Sequence, residues 1–346
     1  MNPYSNMPEK SFWRSAIAEV HYADIADIWT PFPLSRTDKI ATAGSCFAQH
    51  IGINLLNRGA NYLDREPAPA FFTDALVARR FGYSTYSCRY GNIYTTRQLM
   101  QLFDEAHGHR TPLERVWAKD GRYYDALRPS IDPVGQDNPE TVLALRDLHL
   151  TMVRKMFADL DVFVFTMGLT EGWEYIEDST MYPMAPGTLC GTFDAKYYAF
   201  KNLKYSDVLD DLKAFWGQLK LVNPKARMLL TVSPVPLTAT ATDSHVLVAT
   251  TYSKSVLRGV AGELANEFDD IYYFPSYEII ISHPSRGMFF DPNLRTVNNF
   301  GVDFVMNHFF SGDLAKLFPK KGFLEVSGLD VMCDESLLDN QNTVMP

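Results

Sequence analysis

Lys39-Ile40-Ala41-Thr42-Ala43-Gly44-Ser45-Cys46-Phe47-Ala48-Gln49-His50-Ile51 is the stretch that decides the fold. Lys39 to Ala43 has the short apolar character of a strand, Gly44 permits a tight turn, and Phe47, Ile51 and Leu55 then recur at helical spacing until Gly59. This is a strand, tight turn, helix unit. A residue at such a turn stands with its side chain above the sheet, and its neighbours' N–H groups are free to hold an oxyanion. Cys46 fits that description, and a helix N-terminus favours an anion such as a thiolate. A purely structural explanation competes: Cys46 as a small buried hydrophobe at the junction, and Ser45 as a helix cap.

Working outward, the spacing of Leu145, Leu148, Met152 and Met156 predicts a helix over Glu140 to Leu160, which leads into the apolar run Val162-Phe163-Val164-Phe165, bounded by Gly168. The pattern repeats twice. A helix from Tyr205 to about Leu219 stops at Asn223-Pro224 and is followed by a strand at Arg227 to Val232. A longer helix from about Val246 to Phe268 precedes a strand at Ile271 to Phe274. Strands alternating with helices imply parallel pairing, hence a three-layer α/β/α sandwich with a mostly parallel central sheet. In such sheets ligands bind beyond the carboxyl ends of the strands. Those ends are Gly44-Ser45-Cys46, Gly168-Leu169-Thr170-Glu171 and Ser233-Pro234-Val235.

We expect this α/β body to occupy residues 38–325, after an N-terminal arm at 1–37 packed on it and before a C-terminal tail at 326–346. Residues 107–137 and 172–204 read as loop-rich insertions, because turn formers are scattered among aromatics; either could form a lid.

With 46% hydrophobic residues in 346, the chain can bury one large core, or one core plus a smaller insertion. A net charge of −9 and the lack of a Lys or Arg run argue against a nucleic-acid partner. The longest apolar stretches fall short of the roughly 20 residues of a membrane span, so none is expected. Met1 to Asn6 lacks the basic and apolar regions of a secretion signal, which points to the cytoplasm. The four cysteines are dispersed without a Cys-x-x-Cys pair, and there is no His-x-x-x-His; we expect reduced thiols and no metal.

Ala43-Gly44-Ser45-Cys46-Phe47-Ala48 resembles the name-giving motif of the GSCFA family, a group placed with the SGNH/GDSL hydrolases. Tyr90 to Thr96, Phe165 to Trp173, Thr231 to Val235, His245 to Leu257 and Phe274 to Glu278 are similar to other segments of that family, so the likeness runs from about residue 38 to 309. It implies an SGNH-hydrolase-like, flavodoxin-like fold. Set against the SGNH Gly-Asp-Ser turn, the glycine register puts Cys46 in the serine's place and Ser45 in the aspartate's; a shift of one residue would exchange their roles. The resemblance further implies that Gly44, Gly91 and Asn92 help bind the oxyanion or substrate. Gly168-Leu169-Thr170-Glu171 is similar to the Gly-x-Asn-Asp block, with Thr170 in place of an oxyanion-binding asparagine, a departure because a hydroxyl is shorter than an amide.

The Asp-x-x-His block of an SGNH triad should fall at Asn293-Leu294-Arg295-Thr296, and neither triad member is there. His245, preceded by Asp243, is the first substitute, on the ligand side of the sheet; its alternative role is helix capping or surface exposure. His50, four residues after Cys46, and His149, on an apolar helix face, are read as packing residues. Glu171 could orient the base or a substrate hydroxyl, and Lys254 could pair with it or bind an anionic substrate group; an ordinary ion pair explains both as well. A thiol needs less help from a base than a hydroxyl does, so Cys46 and the missing block agree.

The expected function is therefore an acyl-ester hydrolase working through a covalent acyl-enzyme on Cys46, or Ser45, with an acylated carbohydrate or small-molecule ester as substrate. The alternatives are an O-acyltransferase acting on a polysaccharide or its precursor, or a non-catalytic binding protein on the same fold. No cofactor is expected, except coenzyme A as acyl donor if the protein is a transferase. The sequence leaves the oligomeric state open.

Overall fold

The structure, a computed structural model, describes residues 2–320; the expected tail and Cys333 lie outside them. The strands run β1 (Ile40–Gly44), β2 (Val116–Lys119), β3 (Arg122–Asp125), β4 (Val162–Met167), β5 (Glu171–Tyr175), β6 (Thr180–Tyr182), β7 (Tyr198–Asn202), β8 (Arg227–Val232) and β9 (Ile271–Phe274). The helices are α1 (Ala48–Asn57), α2 (Ala75–Arg80), α3 (Thr96–Ala106), α4 (Pro139–Asp159), α5 (Tyr205–Val222), α6 (Val246–Glu267), α7 (Ser276–Ile281), α8 (Asn299–Phe309) and α9 (Gly312–Leu317).

Four parallel strands in the order β1-β4-β8-β9 form the central sheet. Side chains alternate between its faces, as the pleat requires. Ala41, Phe163, Phe165, Met228 and Leu230 pack with residues of α3 to α6, including Phe103, Phe157, Phe215 and Leu257. Ile40, Val162, Val164, Leu229 and Phe274 meet α1, α7 and α8 through Ile51, Ile279 and Phe309. The result is the three-layer α/β/α sandwich. Each large side chain removed from water in these two cores contributes about 1.5–3 kcal/mol before the entropy of ordering is subtracted. Register brings Gly44, Thr166 and Thr231 level at the carboxyl edge. Beyond β1, where a flavodoxin-like order would place a further strand, the edge is continued by one parallel bridge between Ile40 and Tyr62.

The arm reaches this body through Trp29, whose Nε1–H donates to His308 O at 2.7 Å and whose ring meets Phe274 edge-on, and through the Tyr22 hydroxyl, which donates to Ile279 O at 2.6 Å.

The two stretches expected to be loop-rich contain regular structure instead. β2 and β3 form a hairpin, and β6-β5-β7 an antiparallel sheet. They share a core of Trp117, Tyr182, Met184, Cys190 and Tyr198. Short strands with mixed polar and aromatic faces leave little periodicity to read. This lobe is pinned to the helices by buried ion pairs: Arg146 of α4 donates to Glu105 of α3 at 2.6 Å and to Asp125 of β3 at 2.9 Å, and Arg128 donates to Asp125 at 2.7 Å. Burial would raise the Asp125 carboxyl, but the two guanidiniums overcome it and hold the group at about 2. Among the described residues, no helix is long and apolar enough to cross a membrane.

Candidate active site

The turn after β1 exists because residue 44 is glycine. Its φ is +133°, and a Cβ there would overlap the Thr166 carbonyl oxygen and lie 2.7 Å from Thr166 N. The chain is thereby pressed against β4, and Ser45 N–H donates to Thr166 O at 3.0 Å. α1 then begins at once: Ala48 N–H donates to Ser45 O at 2.9 Å and Gln49 N–H to Cys46 O at 3.1 Å. Ser45 and Cys46 therefore stand at the head of a helix and at the carboxyl edge of the sheet. Both are buried, 2% and 5% exposed. Ser45 Oγ is buried without a hydrogen-bond partner, and so is Thr166 Oγ1.

The segment of Gly91 and Asn92 borders this turn. Ile93 N–H donates to Gly44 O at 2.9 Å. The Tyr86 hydroxyl lies 3.1 Å from Ser45 O and 2.5 Å from Asn92 Oδ1, so it ties the second block to the first. Tyr86 was not singled out from sequence; a tyrosine among several in one stretch carries no local sign of its partner.

On the other side, Gly168 lies directly against Ser45. A Cβ on Gly168 would fall 3.1 Å from Ser45 Cβ and 3.1 Å from Tyr94 O. The N–H groups of Gly168 and Leu169 both donate to Tyr94 O, and the buried Lys254 ammonium donates to Gly168 O at 2.6 Å. Lys254 thus holds the turn's backbone. Thr170 is wholly buried; its hydroxyl donates to Asn202 Oδ1 at 2.7 Å, and its N–H donates to Ser253 Oγ at 3.0 Å. To serve an oxyanion, its hydroxyl would have to release Asn202. Glu171 accepts from Thr240 Oγ1 at 2.7 Å and from Ala241 N–H at 3.3 Å, anchoring the loop that leads to α6.

His245 caps α6, its Nδ1 accepting the Leu247 N–H at 3.2 Å, and its ring is exposed. His50 packs edge-on against Phe47 with ring centroids 5.4 Å apart; burial and the nearby Arg79 lower it to about 4, so it is a neutral imidazole. His149 is buried, with Nδ1 2.6 Å from Glu66 Oε2; burial, aided by Arg128, lowers it to about 4 as well. Where the Asp-x-x-His block would fall, Asn293 Oδ1 accepts from Arg295 N–H at 3.0 Å and Thr296 N–H at 2.9 Å, a polar turn. His283 stacks on Trp13 of the arm.

A cavity of about 260 Å³ lies beside the Gly168 turn, lined among others by Leu169, Glu171, Trp173, Met184, Phe200 and Leu237. Of the aromatics in the two insertions, Trp173 lines it, whereas Trp117 and Tyr182 are core. Ser45, Cys46 and His245 do not line it. Tyr94, Leu169, Leu237 and Ala249 pack together as an apolar plug; Leu169 and Leu237 also line the cavity, and Tyr94 lies against Gly168. Leu237, Thr240 and His245 all belong to the irregular stretch after β8 or its junction with α6, so one loop carries part of the plug, the Glu171 anchor and the histidine.

No curated protein matches the chain. The sequence profile of the GSCFA family matches residues 39–309, a span that begins one residue before β1, ends with α8 and contains every residue of the site. On a match of that extent, the chain belongs to the GSCFA family.

Proposed function

We propose that the chain carries out acyl-ester chemistry on an SGNH-type plan, with the turn Gly44-Ser45-Cys46 supplying the nucleophile. Cys46 gives its proton to the base and attacks the ester carbonyl as a thiolate. The carbonyl oxygen becomes an oxyanion, the carbon–oxygen bond to the leaving group breaks, and the leaving alkoxide takes a proton from the base. The acyl group remains as a thioester until water, or a sugar hydroxyl, accepts it. Ser45 is the alternative nucleophile on the same path. His245, at the head of α6 after the loop that carries Leu237, is the proposed base.

The observation that supports this reading best is the Ser45 hydroxyl, buried without a partner against Gly168 at the carboxyl edge of the sheet. Leaving such a group unpaired costs about 1–3 kcal/mol. A bond formed only to a substrate or an intermediate explains why the fold keeps it. The cavity supports an ester with a ring or an apolar body: Trp173 and Phe200 offer faces for stacking, and Glu171 an acceptor for a hydroxyl.

A second reading, a binding protein that uses the cavity without catalysis, is favoured by the burial of Ser45 and Cys46 and by the exposed ring of His245. Turnover of nitrophenyl esters and of acetyl-coenzyme A, with and without a polysaccharide acceptor, separates the readings. Loss of activity in Cys46→Ala and His245→Ala, with Ser45→Ala less affected, supports the thiol path; acceptor-dependent turnover moves the assignment to a transferase. Inactivity of wild type on all of these favours binding.

A further inference from the structure

Arg79, in the last turn of α2, is 7% exposed, yet among the described residues no carboxylate lies within ion-pairing distance of it. Its hydrogen bond runs from Nη2 to the neutral Gln49 Oε1, at 3.2 Å. Arg128 and Arg146, which are as deeply buried, are both matched by carboxylates. Burying a charge without a counter-charge costs several kcal/mol, so a fold that keeps one unpaired has a use for its field. That field is felt locally: Arg79 helps to keep the His50 imidazole neutral.

Arg79 opens onto a small crevice of about 20 Å³, which Gln49, Thr85, Tyr86, Asn92 and Ser130 also line. No acidic side chain lines it. The Tyr86 hydroxyl is bonded to Asn92 Oδ1 and the Thr85 hydroxyl to Tyr83 O, which leaves the Arg79 guanidinium and the Ser130 hydroxyl as the donors suited to the oxygens of an anion. Its volume admits one or two oxygens while the rest of the ligand stays outside.

We infer that this crevice is a binding site for the terminal oxyanion of a ligand, a phosphate or a carboxylate, held by the Arg79 guanidinium with the Ser130 hydroxyl. The site does not depend on acyl-ester chemistry. It is nevertheless coupled to the nucleophile turn, because Gln49 N–H donates to Cys46 O and the Tyr86 hydroxyl reaches Ser45 O. An anion seated there would stiffen both attachments.

The test is thermal unfolding and titration calorimetry of the full chain with inorganic phosphate and, separately, with acetate, at ionic strength held constant with chloride. Wild type should show a saturable rise of several degrees in Tm with at least one of the two; the one that acts identifies the source chemistry. Arg79→Gln should abolish the rise. Because Arg79→Gln could disturb folding, Ser130→Asp is the second variant: it places a carboxylate in the crevice, and should raise Tm without ligand while removing the response. A wild type that responds to neither anion, or a response undiminished in both variants, overturns the assignment. None of these readings uses enzymatic turnover, so inactivity toward esters would leave the result standing.

Discussion

Gly168 packs tightly against Ser45: a Cβ on Gly168 would fall 3.1 Å from Ser45 Cβ, so a methyl group fits there only if one of the two moves by a few tenths of an ångström. The same Cβ would meet Tyr94 O, the acceptor for the Gly168 and Leu169 N–H groups, so neither neighbour can yield without moving the site. Gly168→Ala should cost about 1–3 kcal/mol of stability by overpacking. Displacing Ser45 and the proposed nucleophile Cys46 should reduce ester turnover at least about tenfold in the molecules that still fold. Turnover per folded molecule, compared with Tm, checks this.

Gly44→Ala meets a harder obstacle. The φ of +133° strains any residue with a side chain, and the Cβ would strike β4 backbone rather than a mobile side-chain tip. The loss should exceed about 3 kcal/mol, seen as a marked fall in soluble yield or in the denaturant midpoint.

Stability should fall as the solution is acidified from neutrality. His50 and His149 are both lowered from 6.5 to about 4 by burial and by nearby arginines, so the folded protein leaves them neutral where the unfolded chain protonates them. The stability they confer is complete above about pH 6.5 and is lost as the pH falls toward 4, by up to about 3 kcal/mol for each ring. Tm measured from pH 7 to 4 should therefore decline, against an opposing contribution from Asp64, which burial raises to about 6, and His149→Gln should make the decline shallower. An equal slope in the variant would mean that His149 is not held neutral.

The plug predicts opposite effects from two substitutions on one loop. Leu237→Ala opens the plug on its cavity side, and, if the plug limits access to the turn, should speed modification of Cys46 by a small electrophile several-fold. Ala239→Trp, at an exposed position on the cavity rim, should fill the cavity and abolish turnover with Tm nearly unchanged. Labelling rates and turnover measured side by side decide the matter.

The parallel sheet was legible because its strands announce themselves: Val162 to Met167 is buried on both faces, hence apolar but for Thr166 and bounded by Gly168. The turn Gly44-Ser45-Cys46 was legible as a strand-to-helix junction for a related reason, since a glycine between a strand and an apolar-periodic helix is a local signal. α3 went unread although Thr95 and Gln98 carry a capping box, which the structure completes. The antiparallel lobe was missed because its strands are three to five residues long and mostly half-buried. The site's supports were hidden for a different reason. Asn202 under Thr170, Thr240 on Glu171 and Glu66 beside His149 are tertiary partners, separated by 32, 69 and 83 residues. No local pattern encodes such pairs. The aromatics show the same limit: Trp117 and Trp173 look alike in sequence, and only packing separates the core residue from the one on the cavity.

The most direct test of the account is to treat the folded protein with a carbonyl-directed electrophile, such as a nitrophenyl ester, and to locate the adduct by peptide mass spectrometry. The account predicts one rapid acyl adduct within Gly44-Ser45-Cys46, on Cys46 in wild type and absent from Cys46→Ala. A protein that acquires no adduct there, or reacts at Cys88 or Cys190 as fast as at Cys46, would contradict it.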